Sequence, residues 1–341
     1  MSAILYPVPL KRVSMSKQTL IVHLDPALAR RVRDFLLTPN GVAYQSLNEF
    51  IEVALFNQLN SERVGRLPAD QDGDADIPGE PLRGSGVHEL LILPTGPQPS
   101  DLVPGADVPD EGLFVLTNRL SPLKISARVL ASIRTEGGWP KVEQFQKSAA
   151  QVARALGLRL RAEDRRANRK GPARRWIAYP VGDREQTSLD RFIFSFTLTN
   201  ANGRGAGPLV LLGLADAKDG MAVLTEPGWQ LACAPSPILA GSAGTTLSEE
   251  EAQILRRQVL WAKGEANPVR EFLSATVRSG GSQRRIEELL QVRHHEWSAA
   301  YSGTYRSAMM GRLVELRVLE MSGRGPEAIL SLLPAAEEFT P

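Results

Sequence analysis

The stretch PLVLLGLADAKDGMAVLTEPGWQLA (208–232) decides how the larger part of this chain is read. It has the look of a helix end, a Leu212-Gly213-Leu214 turn, a short strand, Asp219-Gly220, and a second strand closing in Leu224-Thr225. Glycine between two short apolar runs predicts a tight hairpin, and Asp-Gly is the strongest short signal for one. A second stretch, RSAMMGRLVELRVLEMSGRGPEAILSLLP (306–334), repeats the plan with a helix, the strand LRVLEM, a glycine-rich tip and the return AILSLL.

Helical patterns precede both hairpins. They fall at 122–136 and 141–157 before the first, and at 248–263, 268–279 and 283–296 before the second. Helices closed by a hairpin, twice over, resemble tandem winged-helix domains. The resemblance implies one domain at 113–240, carrying a basic insertion at 158–187, and another at 245–335. It also implies a recognition helix at 304–317. Tyr305, Met309, Leu313 and Leu316 would face inward, and Arg306, Met310 and Arg317 outward, with Arg306 as a candidate DNA contact. Winged helices also serve as protein-binding modules, so a protein partner at these domains stays open.

The N-terminal block has another character. In TLIVHL (19–24) Leu20, Val22 and Leu24 share one face, and Thr19, Ile21 and His23 the other. Asp25 caps a helix that opens with Pro26, where a missing N–H costs nothing. Leu28, Val32, Phe35 and Leu36 recur along it at helical spacing, and TPNG (38–41) ends it. Ser46 and Glu49 then form a capping-box pattern before Phe50, Ile51, Ala54, Leu55 and Leu59. A lone strand in so short a block has nothing to pair with, so a two-fold dimer with paired strands is expected.

TLIVHLDPALARRV followed by SLNEFIEVAL is similar to the ribbon-helix-helix family over residues 17–60. That resemblance implies a homodimer whose ribbon enters the major groove of double-stranded DNA. Thr19, Ile21 and His23 would face the bases, and a phosphate would sit near Ser46 at the second helix's N-terminus. Helix N-termini do attract anions, and the major groove admits a two-stranded ribbon. The outward face lacks Arg, Asn and Gln, which makes it a poor reader of bases. A dimerisation role alone is the other reading.

Charge is segregated along the 341 residues although the net value is only +2. Residues 61–112 hold eleven Asp/Glu against three Arg, with eight prolines, and read as an acidic linker whose apolar island is HELLILP (88–94). Residues 154–175 hold nine Lys/Arg against Glu163 and Asp164. The candidate phosphate contacts there are Arg161, Arg165, Arg166, Arg169, Lys170, Arg174 and Arg175, because guanidinium groups pair with phosphates bidentately and release counterions. Trp176 and Tyr179 follow and either stack on bases or anchor the segment. A solvated loop, or a site for an acidic partner such as the chain's own 61–112 linker, is the alternative.

Catalytic patterns are sparse. The single Cys233 excludes a disulfide framework or a thiolate zinc site, and four histidines offer no metal-ligand spacing. NGRGAGP (202–208) lacks the Gly-Lys-Ser/Thr ending of a phosphate loop. With no signal peptide or apolar run of membrane length, a cytoplasmic protein without membrane contact is expected. The expected fold class is mainly α with small β (α+β). The expected function is a non-enzymatic, cofactor-free, DNA-binding transcriptional regulator. A DNA-binding adaptor or structural subunit of a larger DNA-handling assembly, in plasmid maintenance or defence against foreign DNA, is the alternative.

Overall fold

The structure, a computed structural model, describes residues 99–103, 113, 117–134, 138–169, 174–182, 185–199, 206–240, 246–323 and 327–339. The ribbon-helix-helix reading over 17–60 and most of the 61–112 segment lie outside the described residues. The described chain is mostly helical with two small antiparallel sheets, which agrees with the α+β expectation.

Helix α1 (Ser121–Ile133) carries Pro122 in its first turn and is buried continuously from Ser121 to Ala131. A helix wrapped on all sides is a central one, so its two cations, Lys124 and Arg128, have to find partners inside. Helix α2 (Val142–Arg166) lays Phe145, Ala149, Ala153, Leu156 and Leu160 into the core at helical spacing. Helix α3 (Glu185–Phe196) and the single turn α4 (Pro208–Leu211) lead to strands β1 (Ala215–Lys218) and β2 (Met221–Leu224). Asp219 and Gly220 join these strands with φ of 53° and 77°. Two successive positive φ values make the tight turn that matches strand twist.

Helix α5 (Glu226–Cys233) starts at Thr225, whose hydroxyl accepts from the Gly228 N–H at 3.2 Å and donates to the Gly213 carbonyl at 2.6 Å. Gly228 is required here, since a Cβ would lie 1.7 Å from the Leu214 carbonyl oxygen. In the second half, α6 (Glu249–Trp261) opens with a complete capping box between Ser248 and Glu251. Helices α7 (Lys263–Arg278), α8 (Gln283–Arg293) and α9 (Ala299–Glu315) follow. Strands β3 (Leu319–Ser322) and β4 (Ile329–Leu332) then pair antiparallel, with Leu319 opposite Leu332.

In both halves a residue between two helices pairs with the second hairpin strand. Lys141, between α1 and α2, bridges Met221, supported by Val142 N–H to Gly220 O at 3.0 Å and Ala222 N–H to Pro140 O at 2.8 Å. Ser282, between α7 and α8, bridges Ile329, supported by Leu330 N–H to Gly281 O at 3.0 Å. The order helix, bridge, helix, further helix, hairpin therefore occurs twice. Residues 99–103 pack beside the first hairpin, where the Val103 N–H donates to Leu224 O at 3.3 Å and Asp101 pairs with Arg134 at 3.1 Å.

The two halves share one hydrophobic core, and buried charge crosses between them. Glu315 of α9 accepts from the backbone N–H groups of Leu120 and Ser121 at 2.5 and 3.0 Å, and from the Ser121 hydroxyl at 3.0 Å. It thereby satisfies the orphan donors at the start of α1. Lys124 of α1 pairs with Glu251 of α6 at 3.2 Å, both side chains fully buried. Arg312 of α9 is bonded to Glu265 of α7 and to the Thr117 carbonyl.

Several element bounds differ from the sequence reading. The helix expected to end at 157 continues to Arg166, so 158–166 of the expected insertion are part of α2. The helix expected from 268 begins at Lys263 and carries Pro268 inside it. Helices α3 and α5 were not foreseen.

Candidate nucleic-acid interface

The basic segment is built around one buried acid. Asp164, 1% exposed in the last turn of α2, accepts from the Arg175 backbone N–H at 2.6 Å, from Arg175 Nε at 3.0 Å and from Arg169 Nη1 at 3.0 Å. Glu163 takes Arg175 Nη2 at 2.7 Å and lies 3.5 Å from Arg159 Nε. Arg159 also donates to the Ile238 carbonyl at 2.9 Å. Charged hydrogen bonds to one carboxylate thus fold the 174–181 strap back along α2.

Beneath the strap, Tyr179 is buried against Gly157, where an added Cβ would lie 2.6 Å from the Tyr179 Cβ. Gly157, the last residue of the helix expected at 141–157, instead lies in mid-helix at a point of close approach to the strap. Arg161 lies over the Trp176 ring at 5.2 Å from its centroid. A cation over an indole face is attracted by the ring quadrupole, which holds that guanidinium at the surface.

The sequence-predicted contacts therefore separate into groups. Arg165 and Arg166 are exposed, and Arg161 and Arg174 are half-buried. Among the described residues no carboxylate pairs with any of these four. Arg169 and Arg175 are engaged by Asp164, and Arg175 is also buried, so both act as scaffold. Tyr179 is an anchor, which settles the choice left open for it between stacking and anchoring. Lys170, Thr19, Ile21, His23 and Ser46 lie outside the described residues. Asp164 itself was missed, because its partner Arg175 is eleven positions away and no local pattern links the two.

Helix α9 is a poorer candidate. Met309, Leu313 and Leu316 face the core as expected, while Tyr305 is only partly buried. Arg306 turns back onto α8, bonding Glu287 at 2.7 Å and the Gln283 carbonyl at 3.5 Å. Arg312, the other cation of α9, is buried in the seam between the halves. Arg317 just beyond it pairs with Glu249 at 2.9 Å. Of the cations expected to point outward there, each is already matched by an acid.

Among the described residues no group of His, Cys, Asp and Glu could hold a metal ion, and no helix is long and apolar enough to cross a membrane. Compared with protein-family models, curated proteins and solved structures, the chain matches none.

Proposed function

We propose that the chain binds duplex DNA and that its described part grips the phosphate backbone without reading sequence. The observation that carries this reading is the Asp164-organised cap of α2. Two acids there lock the strap in place, while Arg161, Arg165, Arg166 and Arg174 are left to face solvent or the rim. Arginines on a rigid scaffold suit bidentate phosphate contacts, because less side-chain freedom is lost on binding.

The repeated order of helix, bridge, helix, helix and hairpin supports reading both halves as winged-helix-like. The chemistry of α9 favours the second half as a protein-facing or purely architectural unit. Its two arginines are occupied, and it has no Asn, Gln or Lys to offer a base edge. This favours the DNA-handling adaptor over the sequence-specific regulator. The regulator reading rests on the ribbon at 17–60, which would also dimerise the chain and supply a second grip at high effective concentration.

Anisotropy titrations of the full chain separate the two. Random duplex is compared with the promoter of the chain's own operon at one fixed salt concentration. A backbone grip predicts affinities within about tenfold of each other, whereas a specific regulator requires a ratio of at least about 10³. Absence of binding to either duplex at low salt would overturn both.

A further inference from the structure

The strap that completes the basic cap also presents an apolar side chain. Ile177 is 47% exposed at the centre of the one-turn 3₁₀ segment Trp176–Ala178. The segment is held at both ends. Arg175 is tied to Asp164 just before it, the Tyr179 N–H donates to Trp176 O at 2.9 Å, and Tyr179 is packed under α2 just after it. Trp176 is covered by Arg161. Arg165 lies one helical turn beyond Arg161, on the same face of α2.

A single exposed isoleucine is ordinary in any protein. Its setting here is not. It stands on a turn that is fixed by buried ionic bonds, next to Trp176 with the Arg161 guanidinium over its ring and three positions after Arg174, which no carboxylate among the described residues neutralises. Aliphatic side chains beside arginines are the means by which proteins enter a minor groove, part a base step and kink the duplex.

Resting on the DNA-binding reading above, the geometry points to Ile177 as a wedge that inserts at a deformable base step and bends the bound duplex. Arg161 and Arg165, along one face of α2, would take neighbouring phosphates. Unstacking a step costs about as much as burying an isoleucine returns, so the wedge sets the shape of the bound DNA more than its affinity. Flexible pyrimidine–purine steps are the preferred entry points.

The test uses the full chain and a duplex of about 30 base pairs, labelled at both ends for energy transfer, with one central TA step. Binding is read in parallel by anisotropy. The wild type is expected to shorten the end-to-end distance. Ile177→Ala is expected to bind within about tenfold of wild type and to leave the duplex straight, because the phosphate contacts remain. Ile177→Phe, which keeps an apolar wedge, should restore the bend. Binding by the wild type without bending, or an unchanged bend with Ile177→Ala, would overturn the wedge and leave the DNA-binding reading intact. No binding by the wild type at low salt would overturn both.

Discussion

Replacing Arg312 with methionine is expected to destabilise the protein by about 3–5 kcal/mol, the usual cost of leaving one half of a buried ion pair behind. The Arg312 side chain is 4% exposed and that of Glu265 3%. The guanidinium also serves the carbonyls of Thr117 and Leu113, and Glu265 accepts from the Leu113 N–H at 2.9 Å. Without it, a carboxylate and two carbonyls lose their partner away from water. In a body of this size the loss corresponds to a fall in Tm on the order of 10 °C. Arg312→Met combined with Glu265→Gln should cost less than the two single changes added together, since the amide carries no charge and still accepts from Leu113. Denaturant titration of the four proteins measures this coupling. A loss below about 1 kcal/mol for Arg312→Met would mean that the seam does little to hold the halves together.

The second large effect is a rise in stability with pH. Lys124 is fully buried, with Nζ 2.5 Å from the carbonyls of both Leu231 and Ala234 at the end of α5 and 3.2 Å from Glu251. Burial pulls the amine down from 10.5 to about 8. The Arg128 charge adds to that pull, and Glu251 opposes it without cancelling it. Between pH 8 and 10.5 the unfolded chain therefore holds a proton that the folded chain has released. The stability linked to this group is fully present above pH 10.5 and is lost as pH falls through 8. The gap is equivalent to about 3 kcal/mol.

A variant carrying Lys124→Met and Glu251→Gln lacks both titrating groups and is the reference. Wild-type stability should climb relative to it as pH rises from 8 to 10.5, as read by urea unfolding at several pH values. A flat difference would show that the cation is solvated and not buried.

Much of the secondary structure was legible because its signals are local. Asp219-Gly220 and the apolar runs beside it announced the first hairpin, and both residues do take the positive φ that such a turn needs. The stripes of α2, α6 and α9 were visible as helical spacing. What escaped were elements whose signals point two ways. Thr225-Glu226-Pro227-Gly228 looks like a strand ending in a turn, but Thr225 is an N-cap and Gly228 is small so that α5 can cross the Leu214 turn. The helical pattern expected at 141–157 ends at Gly157, but that glycine lies in mid-helix, where it makes room for Tyr179.

The site was half legible for a similar reason. Composition located the arginines, but which of them are spent internally depends on Asp164 meeting Arg175 across a fold that no short window contains. Nothing in the local sequence marks Lys124 and Arg128 of α1 as buried cations. Their partners, the carbonyls at the end of α5 and Glu251, lie about a hundred residues downstream.

The salt dependence of duplex binding by the full chain and by its Arg165→Ala/Arg166→Ala variant tests the central claim most directly. Both residues are exposed, so the variant keeps the Asp164 scaffold and folds as wild type. If both arginines contact phosphates, the slope of log K against log salt should flatten by about 1.8, at roughly 0.9 per phosphate lost. Arg169→Ala, which removes a residue already paired with Asp164, should change that slope by much less. Equal slopes for wild type and the double variant would contradict the account.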